Sequence, residues 1–318
     1  MHTANFFRLL GRLAAYTALF FGILGAGLVM FARYKTIHTE ERLSGGSQPV
    51  KMLFVGDMMF DRTIRQVGEK NGFDYLFSCV VDRFSSYDLV IGNLEGPITP
   101  NPSTSVDSEI GSPDNFTFTF PPDVAVALKQ NGVGIVNLGN NHILNQGEDG
   151  LYQTRAYLDA AGVAHFGSSA GDNAIYRTTV KGKRFSFVNF NEFGGDNASI
   201  TARIVKSEKT AGNSVIVYAH WGDEYEDVPE RVKQWTKNFM DSGADAVIGS
   251  HPHVVQGWGS MDGKPYYYSL GNFIFDQYWN ADVSNGLAVE VIFNDSHITT
   301  HEFNVRLNRD RRSCIATE

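Results

Sequence analysis

Six side chains able to hold a divalent metal stand at the ends of short apolar runs: Asp57, Glu95, Asn141, His220, His251 and His253. The run Val247-Ile-Gly-Ser-His-Pro-His-Val254 is the richest, with Gly249 and then two histidines one residue apart. Imidazole is the commonest metal ligand at neutral pH. A set that mixes carboxylate oxygen, amide oxygen and imidazole nitrogen suits Mn, Fe or Zn better than Ca, which takes oxygen alone. One or two such ions would be held. A pair about 3.5–4 Å apart can grip a phosphate or carboxylate and generate hydroxide from water. Each residue also has an ordinary reading: Asp57 as a helix N-cap, Glu95 as a solvated loop acid, Asn141 as a turn amide, the histidines as surface groups. Five runs that all end this way are hard to obtain from structural need alone.

Elements that place such groups on one rim follow from the pattern between them. Lys51–Val55, Asp88–Ile91, Val133–Val136, Arg184–Phe190, Ser214–Ala219, the run before His251 and Tyr266–Leu270 read as strands, several too apolar and short for helices. Asp74–Phe84, Pro122–Lys129, Gly147–Ala161 and Pro229–Ser242 carry helical spacing, the second opened by Pro122 and closed by Asn131-Gly132. Strands alternating with helices argue for an α/β layered fold, in which ligands sit beyond the carboxyl ends of the strands. Residues 97–113 are rich in Pro, Ser, Thr and Asp without an apolar period and read as a long binding loop or lid. Gly286–Leu307 reads as two closing strands.

The chain has 318 residues, 42% of them hydrophobic, which suffices for a full core. From Leu13 to Ala32 there is no charge, a run that matches the ~20 residues needed to cross a bilayer. It is longer than a signal-peptide core, so an uncleaved membrane anchor is expected at 13–32. The cytoplasmic N-terminus would be 1–12, the tether 33–50, the globular domain 51–307 and the tail 308–318. The body would then lie outside the cell membrane, held by a single pass. Setting aside residues 1–42 leaves 22 basic and 33 acidic side chains, a formal charge of −11, which argues against a nucleic-acid partner. Cys79 reads as a core thiol and Cys314 as part of a frayed terminus; no disulfide framework is expected.

In order along the chain, Gly56-Asp57-Met-Met59 with Arg62, Gly92-Asn-Leu-Glu95, Asn140-Asn141-His142, His220-Trp-Gly222, Gly249-Ser-His-Pro-His253 and Ser269-Leu-Gly-Asn-Phe273 resemble the CapA family. That family is associated with poly-γ-glutamate capsule synthesis and falls in the calcineurin-like metallophosphoesterase superfamily. The resemblance spans about residues 51–280. It implies a four-layer α/β/β/α sandwich and makes Asp57, Glu95, Asn141, His220, His251 and His253 metal ligands. It makes His142 the acid or electrostatic helper at a leaving oxygen. Arg62, five residues past Asp57, has a planar fork that could clamp phosphate or glutamyl carboxylate, or it could be a helix-surface arginine. The superfamily's first motif is Asp-x-His. Here Met59 takes the third place, and a thioether ligates hard ions poorly, so one of two metal positions is expected to be weakened. The resemblance implies a hydrolase or transferase acting on a phosphoester or an anionic polymer, or else a polymer-binding component of a synthesis or export assembly.

Overall fold

The computed structural model describes residues 48–168 and 173–316, together with Met30. The expected anchor at 13–32 lies outside the described residues, Met30 apart. Among the described residues no helix is long and apolar enough to cross a membrane.

Two sheets carry the fold. The first contains β1 (Val50–Met58), β2 (Leu89–Leu94), β3 (Ile135–Asn137), β4 (Ala164–Phe166), β11 (Asn272–Ile274), β12 (Asn285–Phe293), β13 (Ile298–Leu307) and β14 (Ser313–Ile315), in the order β14-β13-β12-β1-β2-β3-β4 with β11 beside the end of β1. The second contains β5 (Ile175–Val180), β6 (Lys183–Asn191), β7 (Ser214–His220), β8 (Ala246–Ser250), β9 (Trp258–Met261) and β10 (Lys264–Tyr267), in the order β5-β6-β7-β8-β10-β9. Strands β1 to β4 are parallel to one another, as are β6 to β8.

Alternation along the strands assigns the layers. Met52, Phe54 and Ile91 from the first sheet pack against Phe187, Ile216, Tyr218 and Ile248 from the second. The intervening Leu53, Val55 and Val90 face helices α1 (Arg62–Asn71), α2 (Asp123–Gln130) and α3 (Gly147–Ala161) through Ile64, Leu128 and Leu158. Val215 and Val217 face α4 (Ala198–Thr210) and α5 (Glu230–Asp241) through Val205, Val232 and Phe239. Side chains of period two on a strand thus separate one inter-sheet core from two helix-covered cores.

Parity fails once, at a place that matters. Phe54 pairs with Ile91 but Asp57 pairs with Asn93, so β1 spends three residues where β2 spends two. This bulge returns Asp57 to the same face as Phe54, where strict alternation would have turned it toward the helices. Gly56 sits inside it, and a Cβ there would lie 1.8 Å from the Gly271 carbonyl oxygen.

Two differences from the sequence expectation concern cysteine. Cys79 is exposed rather than a core thiol, and it forms a disulfide with Cys314, 235 residues away, with the two Cα atoms 5.0 Å apart. Cys314 is held in β14, so the chain remains ordered beyond residue 307. Two lone cysteines in unrelated contexts carry no spacing signal, which is why sequence reading missed the pair.

Glu208 of α4 fastens that helix to the second sheet. Its carboxylate accepts hydrogen bonds from Arg177 (2.8 and 2.5 Å), Ser186 (2.7 Å) and Asn213 (2.9 Å). The Arg177 contact first, with the two neutral donors, holds its pKa down at about 2. A carboxyl with a depressed folded pKa stabilises the fold above its unfolded pKa and loses that contribution as pH falls toward the folded one. Glu208→Gln is therefore expected to lower the denaturation midpoint at pH 7, with the difference from wild type shrinking below pH ~4.5. Urea titrations at pH 7 and pH 3 measure it; a difference that does not shrink contradicts the assignment.

Candidate metal centre

One rung of each sheet supplies the polar groups. Across the first sheet Asn272, Asp57, Asn93 and Asn137 stand in register. Across the second, Asn191, His220 and Ser250 do. Since Ile216 and Tyr218 face the inter-sheet core, His220 continues that face to the strand's end. Asp57, Asn93, Glu95 and His220 are completely buried, and His251 and His253 nearly so.

Hydrogen bonds fix which atoms are free. Ser250 Oγ donates to the Ala219 carbonyl (3.0 Å), so its oxygen accepts from His220 Nδ1 (3.0 Å). His220 Nε2 lies 2.9 Å from Asn141 Oδ1 and 3.4 Å from Glu95 Oε1, two acceptors that a proton on Nε2 or a cation bound to it would satisfy. Asn272 donates its amide protons to the backbone and to Gln277, so its Oδ1 accepts from His253 Nδ1 (2.9 Å) and Nε2 is left free. A histidine whose second nitrogen is held by a neighbour is a pre-oriented ligand. Asn93 Nδ2 donates to Asp57 Oδ1 (2.8 Å) and to Glu95 Oε2, and the other Asp57 oxygen accepts the His251 backbone N–H (3.1 Å).

Two buried atoms in this cluster have no hydrogen-bond partner: Glu95 Oε1 and His251 Nδ1. Glu95, His220 and His251 offer ligand atoms that all lie within 4.8 Å of one another. A carboxylate with an orphaned oxygen and an imidazole with an orphaned nitrogen, gathered with His220 in one buried cluster, fit a divalent cation. The electrostatics agree. Burial, then the neighbouring Glu95, pushes the Asp57 carboxyl well up, and burial raises Glu95 to about 8. Burial holds His220 and His253 well below the usual imidazole range, and His251 down at about 2. Neutral imidazoles are ready to ligate, and carboxylates that resist ionising alone are what a cation would ionise.

The sequence-derived residues divide accordingly. Glu95, Asn141, His220 and His251 come together at one position; Asp57 and His253 lie beside it, 3.6 Å apart. Met59 does not face them. It is fully buried in the helix-side core, and its sulfur accepts the Asp61 N–H (2.9 Å). His142 Nδ1 is held by the Phe116 carbonyl (3.2 Å) and Asn145 Oδ1 (3.0 Å), and burial lowers its pKa to about 4. Arg62 bonds Asp276 (2.5 Å) and lies against the rings of Phe118 and Phe275, at 5.2 and 5.3 Å. Those two rings back His142 (4.5 Å) and His253 (4.8 Å) respectively. The Nε–H of Arg62 is buried and unpartnered. Asp223 pairs with Arg231 and does not touch His220; Trp221 is core, donating to the Tyr268 carbonyl. Sequence reading missed Asn93, Asn137, Asn140 and Ser250 as positioning groups. The signal available was an asparagine or serine at or near the carboxyl ends of β2, β3 and β8.

The chain matches the bacterial capsule synthesis protein PGA_cap family over residues 51–277. The chain belongs to this family. Among its relatives, the PGA biosynthesis protein CapA of Bacillus subtilis (strain 168) is 29% identical over 82% of this chain and 70% of that protein. The capsule biosynthesis protein CapA of Bacillus anthracis is 27% identical over 76% of this chain and 63% of that protein. A Mycobacterium tuberculosis protein named "Probable polyglutamine synthesis accessory protein" is 28% identical over 59% of this chain and 56% of its own length. The matched span contains every member of the polar cluster, from Asp57 to Asp276.

His251 and His253 both adopt positive φ, at 100° and 59°, which non-glycine residues accept at a cost of order 1–3 kcal/mol. The preceding Gly249 lets that loop start close against β10's continuation, since a Cβ would lie 2.0 Å from the Tyr268 carbonyl oxygen. Gly249→Ala is expected to lose about 1–3 kcal/mol of stability and to weaken Mn or Zn binding. Urea denaturation and metal titration measure the two; unchanged binding would mean that this approach does not position His251.

Proposed function

We propose that the chain is a metal-dependent hydrolase or transferase of the metallophosphoesterase type, acting in capsule or poly-γ-glutamate polymer biosynthesis or export. The observation that carries this reading is the pair of orphaned buried ligand atoms, Glu95 Oε1 and His251 Nδ1, within the Glu95–His220–His251 cluster. Asn141 completes that position, and Mn, Fe or Zn suits its donors. A bound divalent ion would supply Lewis acidity at the substrate's phosphoryl or carbonyl oxygen. Asp57 and His253 are neighbours and would be the residues left for a second ion, but Met59, turned into the core, contributes no third ligand there. One ion is thus the favoured occupancy.

The protein's own groups then have defined tasks. His142 enters neutral at pH 7, with Nδ1–H fixed and Nε2 available, so it accepts a proton; a role as acid requires an anionic substrate to raise its pKa first. Arg62, steered by Asp276 and two rings and with an unpartnered Nε–H, is the candidate clamp for an anionic group of the substrate. A non-catalytic polymer-binding role is the second reading, favoured by the buried Met59.

The full chain supplied with Mn or Zn is expected to bind close to one ion. His251→Ala should weaken binding on the order of 100-fold and abolish turnover of p-nitrophenyl phosphate. Folded protein that holds no metal and turns over nothing moves the assignment to the second reading. Met59→His should lose about 1–3 kcal/mol of stability without a second ion, because it places an imidazole in an apolar core; a second ion bound would contradict the orientation described.

The expected placement, a single-pass anchor with the body outside the cytoplasm, belongs to the same proposal. The Cys79–Cys314 disulfide supports it, because such bonds persist in oxidising compartments. Protein taken from acid-quenched cells should show no maleimide-reactive thiol until reduced; thiols labelled without reduction would argue against that placement.

A further inference from the structure

Beside the metal centre runs an open groove of about 660 Å³ whose walls include Tyr225, Glu226, Asp227, Gln256, Trp258 and Asp282. It begins immediately after His253, at Val254, and the Tyr225 ring lies 5.9 Å from that of His253. Its chemistry is opposite to that of Arg62. No lysine or arginine lines it, and Glu226, Asp227 and Asp282 take part in no ion pair among the described residues. A second observation points to a ligand. Gln256 is only 7% exposed, its Nε2 is pinned to the Glu226 carbonyl at 2.9 Å, and its Oε1 has no partner. A buried amide oxygen left with free lone pairs calls for a donor.

We infer that this groove binds a primary ammonium group on an alkyl stem, the amine-bearing partner of the chemistry at the adjoining centre. Three features select that class over a bare cation. The three carboxylates do not converge closely enough to share an ion, whereas Glu95, His220 and His251 do. The half-exposed Trp258 face, stacked on Tyr267, and the exposed Tyr225 offer the aromatic surfaces that attract organic cations. The volume takes several carbons of stem along Val254 and Leu287, with Gln256 in the same wall to receive the head group after a small side-chain adjustment. An acidic polymer strand would be repelled from the same walls. The groove therefore separates an amine-recognising side of the centre from the anion-recognising side at Arg62.

The binding inference does not depend on turnover, and its test reads binding alone. Calorimetric titration of the full chain with cadaverine (1,5-diaminopentane) should give saturable 1:1 binding that weakens with added salt. Asp227→Asn combined with Asp282→Asn should weaken it at least tenfold, and Gln256→Leu severalfold. Asp241→Asn, an exposed acid outside the groove, should leave it unchanged. Near-UV circular dichroism and retained Mn binding establish that each variant is folded. The inference is overturned by any of three results: no saturable cadaverine binding, binding indifferent to the groove variants, or calcium binding at the groove in place of the amine. Each would leave the metal-centre assignment standing, and loss of that assignment would leave cadaverine binding intact.

Discussion

The structure turns on an unmet electrostatic demand. Asp57 and Glu95 are buried side by side, and among the described residues neither meets a lysine or arginine. Burying one ionised carboxylate without a partner is costly, and two in contact are worse. Such an arrangement survives in a folded protein when the carboxyls are protonated or when a cation neutralises them. Three imidazoles kept neutral by the same burial, two of them gathered with Glu95, favour the cation. The demand explains why so much surrounding structure consists of asparagines and serines. They satisfy the remaining donors and acceptors without adding charge.

Positioning these groups uses devices that are individually unfavourable. The bulge in β1 interrupts a ladder to re-aim Asp57. The loop after β8 holds two non-glycine residues at positive φ. Gly56 and Gly249 permit backbone approaches that no side chain would tolerate. Each departs from what the local sequence would otherwise adopt, and all lie within a few residues of the same rim. Strain concentrated at one end of two otherwise regular sheets is consistent with a site under functional constraint.

Much of this was legible beforehand, for a physical reason. Buried parallel strands are continuous apolar runs, and their ends are marked by the first residues that cannot be buried unpaired. Reading those ends located Asp57, Glu95, Asn141, His220, His251 and His253. Less was legible where the determining contact is distant. Helix α4 escaped notice because its buried face is Thr201, Val205 and Glu208, which holds a single large apolar residue and no apolar stripe. The direction of Met59 is set just past the end of β1 at Met58, where the Met59 N–H bonds the Ile274 carbonyl and strand alternation no longer applies, which no periodicity announces. The disulfide joins singletons far apart in sequence, and only the antiparallel return of β13 and β14 brings them together.

That bond also has a topological meaning. It makes residues 79–314 a closed covalent ring, and of the fourteen strands among the described residues β1 alone is threaded into the core from outside it. The threaded strand carries Asp57, whereas Glu95, His220, His251 and His253 belong to the ring. The polar cluster is thus assembled across a seam that only packing and hydrogen bonds hold shut. A backbone cut within the ring would leave both pieces joined, but a cut between β1 and Cys79 would leave β1 attached by nothing stronger than the cluster and core it helps to form.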